Sequence, residues 1–208
     1  MILKCVTFFL KKIPMEATIR ENVFKTIGQH LSEEECDAFS KLTFEKSFGR
    51  KTIIAEEGST CRYTYFITEG SAYSYYINEN GDKSVIQFAL EGYWITDQYS
   101  FFSGRKGIFM IETLEDCKML VLNKDHMNTL CAQSHRIEHF FRILIQNAFV
   151  ALQYRLTKTN SETAEKRYLE FAGLYPHFLN RIPQYLIASY LGIRPQSLSR
   201  IRKELSEK

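Results

Sequence analysis

The chain has 208 residues, enough for one large domain or two modest ones, and its 45% hydrophobic and 14% aromatic content argues against disorder. The net charge of +3 is unevenly divided: residues 155–208 hold 10 Lys+Arg against 5 Asp+Glu, net +5, whereas residues 1–154 hold 17 against 19, net −2. Basic charge therefore collects at the C-terminal end, the sign needed to attract a phosphate backbone.

Five cysteines (Cys5, Cys36, Cys61, Cys117, Cys131) contain no C-x-x-C pair. That argues against a disulfide framework, a zinc ribbon or an iron–sulfur cluster, and suits a reducing cytoplasm. No apolar run approaches the length of a membrane span. The start, Met1 to Pro14, is apolar but lacks the basic leader and cleavage site of a signal peptide, and Met15 is an alternative start.

An amphipathic segment, Thr18 to His30, precedes Ser32-Glu33-Glu34-Glu35, which reads as a helix start with a capping box. Between Lys51 and Leu122, glycines at 58, 70, 81, 92 and 104 recur every 11 or 12 residues. β-prone runs lie between them: Tyr63–Thr68, Ser71–Ile77, Ser84–Leu90, Ile108–Thr113 and Lys118–Leu122. This spacing predicts a jelly roll of about eight strands, with Asn80-Gly81 as a hairpin turn.

From Ser134 to Lys158 the pattern is helical. Ile137, Phe141, Leu144, Ala148 and Leu152 form its apolar stripe, widened by Phe140, Ile145 and Phe149. A helix this long between two domains suits dimerisation, and those five residues are the expected interface. Ser161-Glu162-Thr163-Ala164-Glu165 reads as the next helix start. The expected boundaries are 1–30 for an N-terminal extension, 31–133 for the β-roll, 134–158 for the long helix and 159–208 for a terminal helical domain.

That last domain ends in a helix-turn-helix pattern. Ala188 allows a close crossing, Gly192 supplies a turn, and Pro183 and Pro195 sit where helices begin. Ile187, Leu191, Ile193, Leu198 and Ile201 fall where two crossed helices bury apolar side chains. On the second helix Gln196, Ser199, Arg200 and Lys203 then face outward. Arg and Gln make bidentate contacts to guanine and adenine edges, so Arg200 and Gln196 are the expected base readers. Arg194, Ser197 and Arg202 flank that face and suit phosphates. The plainer alternative is a surface αα-hairpin with a solvated charged face.

Glu56-Glu57-Gly58, Thr68-Glu69-Gly70-Ser71, Asn80-Gly81, Glu91-Gly92-Tyr93-Trp94 and the terminal helix-turn-helix, in this order, resemble the Crp–Fnr family of bacterial transcription regulators. The resemblance covers about residues 30 to 205. It implies an α+β chain: a cyclic-nucleotide-binding-like β-roll, a dimerisation helix and a winged-helix-like DNA-binding domain. It further implies a homodimer on a partly palindromic double-stranded operator and contact with RNA polymerase. Half-sites would lie about 34–36 Å apart.

The departures from the family are informative. Its cyclic-nucleotide-binding members hold the ribose with a Gly-Glu pair and the cyclic phosphate with an Arg-Ser pair. These positions fall on Thr96-Asp97 and Gly107-Ile108, and the nucleobase-touching pair falls on Leu152-Gln153. Gly107 cannot neutralise a phosphate, and Arg105 and Lys106 read as solvated loop charges. The effector is therefore expected to be something other than cyclic AMP, or absent. A weak pocket of Trp94, Thr96, Asp97, Gln98, Leu152 and Gln153 could take a small apolar or hydroxylated molecule. The cysteine cluster of the oxygen-sensing branch is missing, and no cofactor or metal is expected. Arg194 stands where the family places a capping Ser or Thr, and no residues follow Lys208 to build a β-wing, so a shallower salt dependence is expected.

Two further readings remain. A cupin-like metal enzyme needs a His-x-His pair on a strand, and none of His30, His126, His135, His139 and His177 lies on a predicted strand. Cys131, His135 and His139 share a spacing of four, but a helix start at Ser134 interrupts them. A sensor or interaction protein with a helical tail that does not bind DNA is the alternative function.

Overall fold

The structure, a computed structural model, describes residues 15–207, with side chains from residue 18; Cys5 and the segment Met1 to Pro14 lie outside the described residues. In chain order the elements are α1 (Met15–Ile27), α2 (Glu33–Leu42), β1 (Thr43–Phe48), β2 (Ile53–Ala55), β3 (Tyr63–Glu69), β4 (Ala72–Ile77), β5 (Lys83–Ala89), β6 (Trp94–Ile95) and α3 (Gln98–Ser103). They continue with β7 (Met110–Thr113), β8 (Cys117–Asn123), α4 (Lys124–Gln133), α5 (His135–Ser161), α6 (Ala164–Leu174), α7 (Pro176–Leu179), α8 (Gln184–Leu191) and α9 (Pro195–Ser206). By internal contacts these residues form two units, one of residues 15–76 with 86–148, the other of Ile77–Val85 with residues 149–207.

The first unit is the β-roll. Its strands form two four-stranded sheets, ordered β1-β8-β3-β6 and β2-β7-β4-β5. All five regularly spaced glycines have positive φ, as the turn reading expected. At Asn80-Gly81 the β4–β5 connection is wider than a two-residue turn: the Asn78 N–H donates to Asp82 O, and the Asn78 side chain accepts from the Asn80 and Asp82 N–H groups. Strands β1, β2 and β6 were not expected. β1 shows no alternation of buried and exposed residues, and β6 has only two residues, so neither leaves a period-two signal.

One core joins β3, β6 and β8 to the helices: Phe66, Trp94, Leu120 and Leu122 meet Val23, Phe39, Leu130, Ile137, Phe140 and Phe141. The other lies between the sheets around Ile67, Ile95, Ile111 and Met119. Ile137 and Phe141 are therefore 1% and 5% exposed within this chain's own core. This corrects the expected interface: a helical stripe is apolar for any partner, and here the β-roll takes its first two turns. Leu144 also packs against that core.

The start of α5 is fixed by Glu35. The capping box at Ser32 forms as expected through Glu35 Oε2, which also pairs with Arg136, while Oε1 accepts from Ser134 Oγ. Desolvation pushes the Glu35 carboxyl up, but the hydrogen bonds from Ser134, Ser32 and Arg136 outweigh it and hold it below its ordinary value. Its unfolded value is about 4.3, so this contribution is complete above about pH 5 and is lost as pH falls through the lower folded value. Glu35→Gln should lower stability at pH 7 by about 1–2 kcal/mol and flatten the acid limb of the stability–pH curve. Urea midpoints between pH 3 and 7, a range bracketing that value, check this; parallel acid limbs in the two proteins would sink it.

Candidate functional site

In the second unit, Thr163 caps α6 through its side chain, as the sequence predicted. Phe171, Phe178, Ile182, Leu186 and Tyr168 build a small core under α8 and α9. The five expected apolar positions, Ile187, Leu191, Ile193, Leu198 and Ile201, are all buried, at 1–7% exposure. Gly192 turns the chain with φ 62, and the Ile193 N–H returns to Ala188 O at 2.8 Å. A Cβ at Gly192 would also meet Thr159 Cγ2 at 3.3 Å. Arg167 closes the end of α8, donating from Nη1 to Leu191 O at 2.7 Å.

This packing leaves one face of α9 outward. Gln196, Ser199, Arg200 and Lys203 are exposed, with Arg194 beside them; Ser197 and Arg202 are half-buried. Arg200 and Lys203 each have a carboxylate one turn on, Glu204 at 3.8 Å and Glu207 at 3.9 Å. Pro195 is the first residue of α9, and Arg194 provides no side-chain cap, so the first amides of α9 keep free donors. A helix end with free N–H groups beside Arg194 is suited to an anion.

On α5, the expected residues beyond the β-roll core stand in solvent in this chain. Ala148 and Leu152 are exposed, and so are Phe149, Val150 and Leu156. Ile145, Phe149, Leu152 and Leu156 are spaced four, three and four apart, the spacing that a coiled-coil seam requires. This row shares Leu152 with the expected interface and takes Ile145 and Phe149 from the expected widening of the stripe, in place of Leu144 and Ala148.

The β-roll holds a cavity of about 270 Å³ walled by Ile54, Thr60, Arg62, Tyr63, Tyr65 and Asp97, among others. Of the six residues expected to line a pocket, Asp97 alone borders it. The others are corrections. Trp94 is buried in the core, its indole N–H donating to Asn22 Oδ1 at 3.1 Å. Thr96 Oγ1 donates to Tyr63 O at 2.9 Å. Gln98 is an exposed residue of α3, and Leu152 and Gln153 are exposed on α5. Tyr65 and Arg62 were missed because strand alternation identifies a buried face without showing that it borders a void.

Asp97 is not free to take a ligand hydroxyl. It is 1% exposed; Oδ1 accepts from the Ser100 N–H at 3.1 Å, and Oδ2 from the Ile108 and Phe109 N–H groups at 3.1 and 3.3 Å. A Cβ at Gly107 would stand 2.7 Å from Asp97 Oδ2 and 3.0 Å from Ser59 O. The glycine is what allows this carboxylate into the loop. The half of Asp97 that faces Ile108 and Phe109 thus fills ground that the resemblance allots to a cyclic phosphate. Arg105 and Lys106 are exposed. Cys131 ends in α4 and His135 begins α5, so the Cys131, His135 and His139 spacing is broken at Ser134. Among the described residues no cluster of three metal-ligating side chains occurs. Asp97→Asn and Gly107→Ala should each lower stability by about 1–3 kcal/mol in urea unfolding, through an unpaired amide in one case and a steric clash in the other. Unchanged midpoints would show that the loop rearranges freely.

Known proteins bear on this geometry. Residues 45–134 match the cyclic nucleotide-binding domain family. The regulatory protein HlyX of Actinobacillus pleuropneumoniae is 24% identical over 183 residues, covering 82% of this chain and 75% of its own. FixK2 from Bradyrhizobium japonicum has the same fold, with a TM-score of 0.69 at 17% identity over 79% of this chain and 85% of that one. CLP of Xanthomonas campestris, described as a c-di-GMP-responsive global regulator, superposes with a TM-score of 0.66 at 12% identity over 85% of this chain and 92% of its own. Residues 45–134 thus match the cyclic nucleotide-binding domain family, and the chain shares its fold with solved structures that extend over most of its length.

Proposed function

We propose that this chain is a cytoplasmic, sequence-specific transcription regulator that binds a partly palindromic operator as a homodimer. The observation that carries the reading is the outward face of α9: Gln196, Ser199, Arg200 and Lys203 exposed over a fully buried apolar frame. Arg200 and Gln196 read bases, while Arg194, Ser197, Arg202 and Lys203 meet phosphates or flank them. The name of HlyX and the description of CLP as regulators support the same reading. No helix among the described residues is long and apolar enough to cross a membrane. RNA polymerase is the partner that the family resemblance implies.

The dimer forms along the seam of Ile145, Phe149, Leu152 and Leu156, which pairs two copies and doubles the recognition helices. The effector in this reading is something other than cyclic AMP: the loop at Asp97 and Gly107 presents a carboxylate where the resemblance allots a cation to the cyclic phosphate, and burying an unpaired anion costs several kcal/mol. A small neutral molecule in the β-roll cavity, or no effector, remains. A sensor protein with an inert helical tail is the second reading, and the i,i+4 acids on α9 are what favour it.

Selection of bound duplexes from a random pool, with purified protein and no effector, decides between these. A two-fold-symmetric sequence is expected; failure to enrich any sequence, in buffer and in cell extract alike, would overturn the DNA reading. On the selected site, Arg200→Ala should cost about 1–3 kcal/mol and relax specificity at one base pair, while Lys203→Ala should weaken all sequences evenly. Leu152→Glu should shift sedimentation from dimer to monomer and leave the thermal midpoint of the β-roll in place. A dimer that survives this substitution would move the interface elsewhere.

A further inference from the structure

The β2–β3 connection, residues 56–62, walls the β-roll cavity and brings one acid and one base to it, Glu56 and Arg62. Its backbone is pinned along its length. The Gly58 N–H donates to Gly107 O and the Gly107 N–H returns to Ser59 O, both at 2.8 Å, while the Ser59 N–H donates to Glu56 O at 3.2 Å. The Cys61 N–H donates to Ser100 Oγ at 2.8 Å, and Arg62 O accepts from the Lys124 N–H at 3.0 Å. A Cβ at Gly107 would stand 3.0 Å from Ser59 O and 3.5 Å from Glu56 O, so that glycine is what lets the two segments approach. Glu56 and Arg62 are therefore carried at the two ends of a fixed loop.

Both charges are open. Among the described residues, neither the Glu56 carboxylate nor the Arg62 guanidinium has an ion pair or a side-chain hydrogen bond, with each other or elsewhere. Asp97, the other acid on the wall, is 1% exposed, and its oxygens already accept from three backbone N–H groups. Apolar surface comes from Ile54 and from Tyr65, whose hydroxyl is tied to Ile54 O at 3.3 Å. A volume of about 270 Å³ is at the lower end of ligand sites, so the occupant is small. A lone anion on Arg62 would be opposed by Glu56, and a lone cation on Glu56 by Arg62. A molecule that carries both signs a few bonds apart satisfies both: a carboxylate meets the planar guanidinium through parallel hydrogen bonds, and an ammonium donates to the free carboxylate.

We propose that this cavity binds a free α-amino acid with an apolar side chain, its carboxylate on Arg62, its ammonium on Glu56 and its side chain against Ile54 and Tyr65. The inference deepens the reading of a small neutral molecule in the β-roll, and rests on that reading for any effect on DNA. The site itself lies wholly within the unit of residues 15–76 and 86–148.

The test is calorimetric titration of the full-length protein with L-valine, L-leucine and L-phenylalanine, and with two relatives of leucine that keep one charge each, isocaproate and isoamylamine. Saturable binding of at least one amino acid, with a Kd below about 1 mM, is expected, and leucine should bind at least about tenfold tighter than either relative. Glu56→Gln and Arg62→Gln should each weaken the amino acid about three- to tenfold. They should do so selectively: leucine and isocaproate become alike in Glu56→Gln, leucine and isoamylamine in Arg62→Gln. The unliganded thermal midpoints of both variants should match wild type, because neither side chain has a partner to lose. Isocaproate or isoamylamine binding wild type as tightly as leucine would overturn the two-charge site. No saturable binding of any of the three amino acids in that range would overturn the site altogether. The titration contains no DNA, so the two readings fail separately. A chain that enriches a duplex yet binds none of these molecules keeps the proposed function and loses this inference. One that binds leucine yet enriches no duplex keeps the site and loses the DNA reading.

Discussion

A helix of 27 residues is about 40 Å long, more than one small core can cover, and α5 therefore has to satisfy two different surroundings. Its first turns are committed by Ile137, Phe140 and Phe141, which meet Trp94 and Phe66 under the β-roll, and by Arg136 on Glu35. The β-roll core is incomplete without them. Beyond residue 144, among the described residues, Phe149, Val150 and Leu156 of the same helix stand more than half exposed. Burying each large side chain contributes about 1.5–3 kcal/mol, so a row of them in water is an unfinished surface.

The β-roll keeps the frame of a nucleotide-binding domain while altering what that frame can hold. Asp97 is a buried carboxylate that accepts hydrogen bonds from three backbone N–H groups, with Gly107 leaving it room. An incoming anion would meet that carboxylate and would find those donors already used. The walls of the nearby cavity mix aromatic and aliphatic surface from Ile54, Tyr63 and Tyr65 with polar groups from Glu56, Thr60 and Arg62. On this reading the domain has exchanged a charge-binding loop for a self-satisfied one.

Features set by a few adjacent residues were legible in the sequence. Ser32 with Glu35, Thr163, and the turn glycines each act through local backbone geometry, and each formed as read. So did the buried frame of the helix-turn-helix, because Ala188, Gly192 and five apolar positions leave one way to cross two short helices. What depends on distant neighbours was not legible. The stripe through Ile137 and Phe141 is equally apolar for a β-roll or a second copy, and its spacing carries no label for either. Trp94 follows a glycine in a promising loop, yet Asn22, more than seventy residues earlier in the chain, holds its N–H. Asp97 could be read as an acid, but not that residues 108 and 109 would fold back to occupy it. β1, largely exposed, exists because β8 pairs with it along its whole length.

The two carboxylates paired with the outward face of α9, one on the helix and one just past its end, bear on how such a protein would find its site. Arg200 and Lys203 are each shadowed by an acid, Glu204 and Glu207. Against arbitrary duplex, where a cation meets only phosphate, these acids oppose the attraction and lighten the hold. Against a duplex with a guanine edge in register, Arg200 exchanges a loose exposed pair for a bidentate one, and the opposition matters less. Surplus cation would make a protein that clings anywhere. Partly cancelled cation makes one that lets go quickly, and on a chromosome crowded with wrong sites, rapid release is what shortens the search.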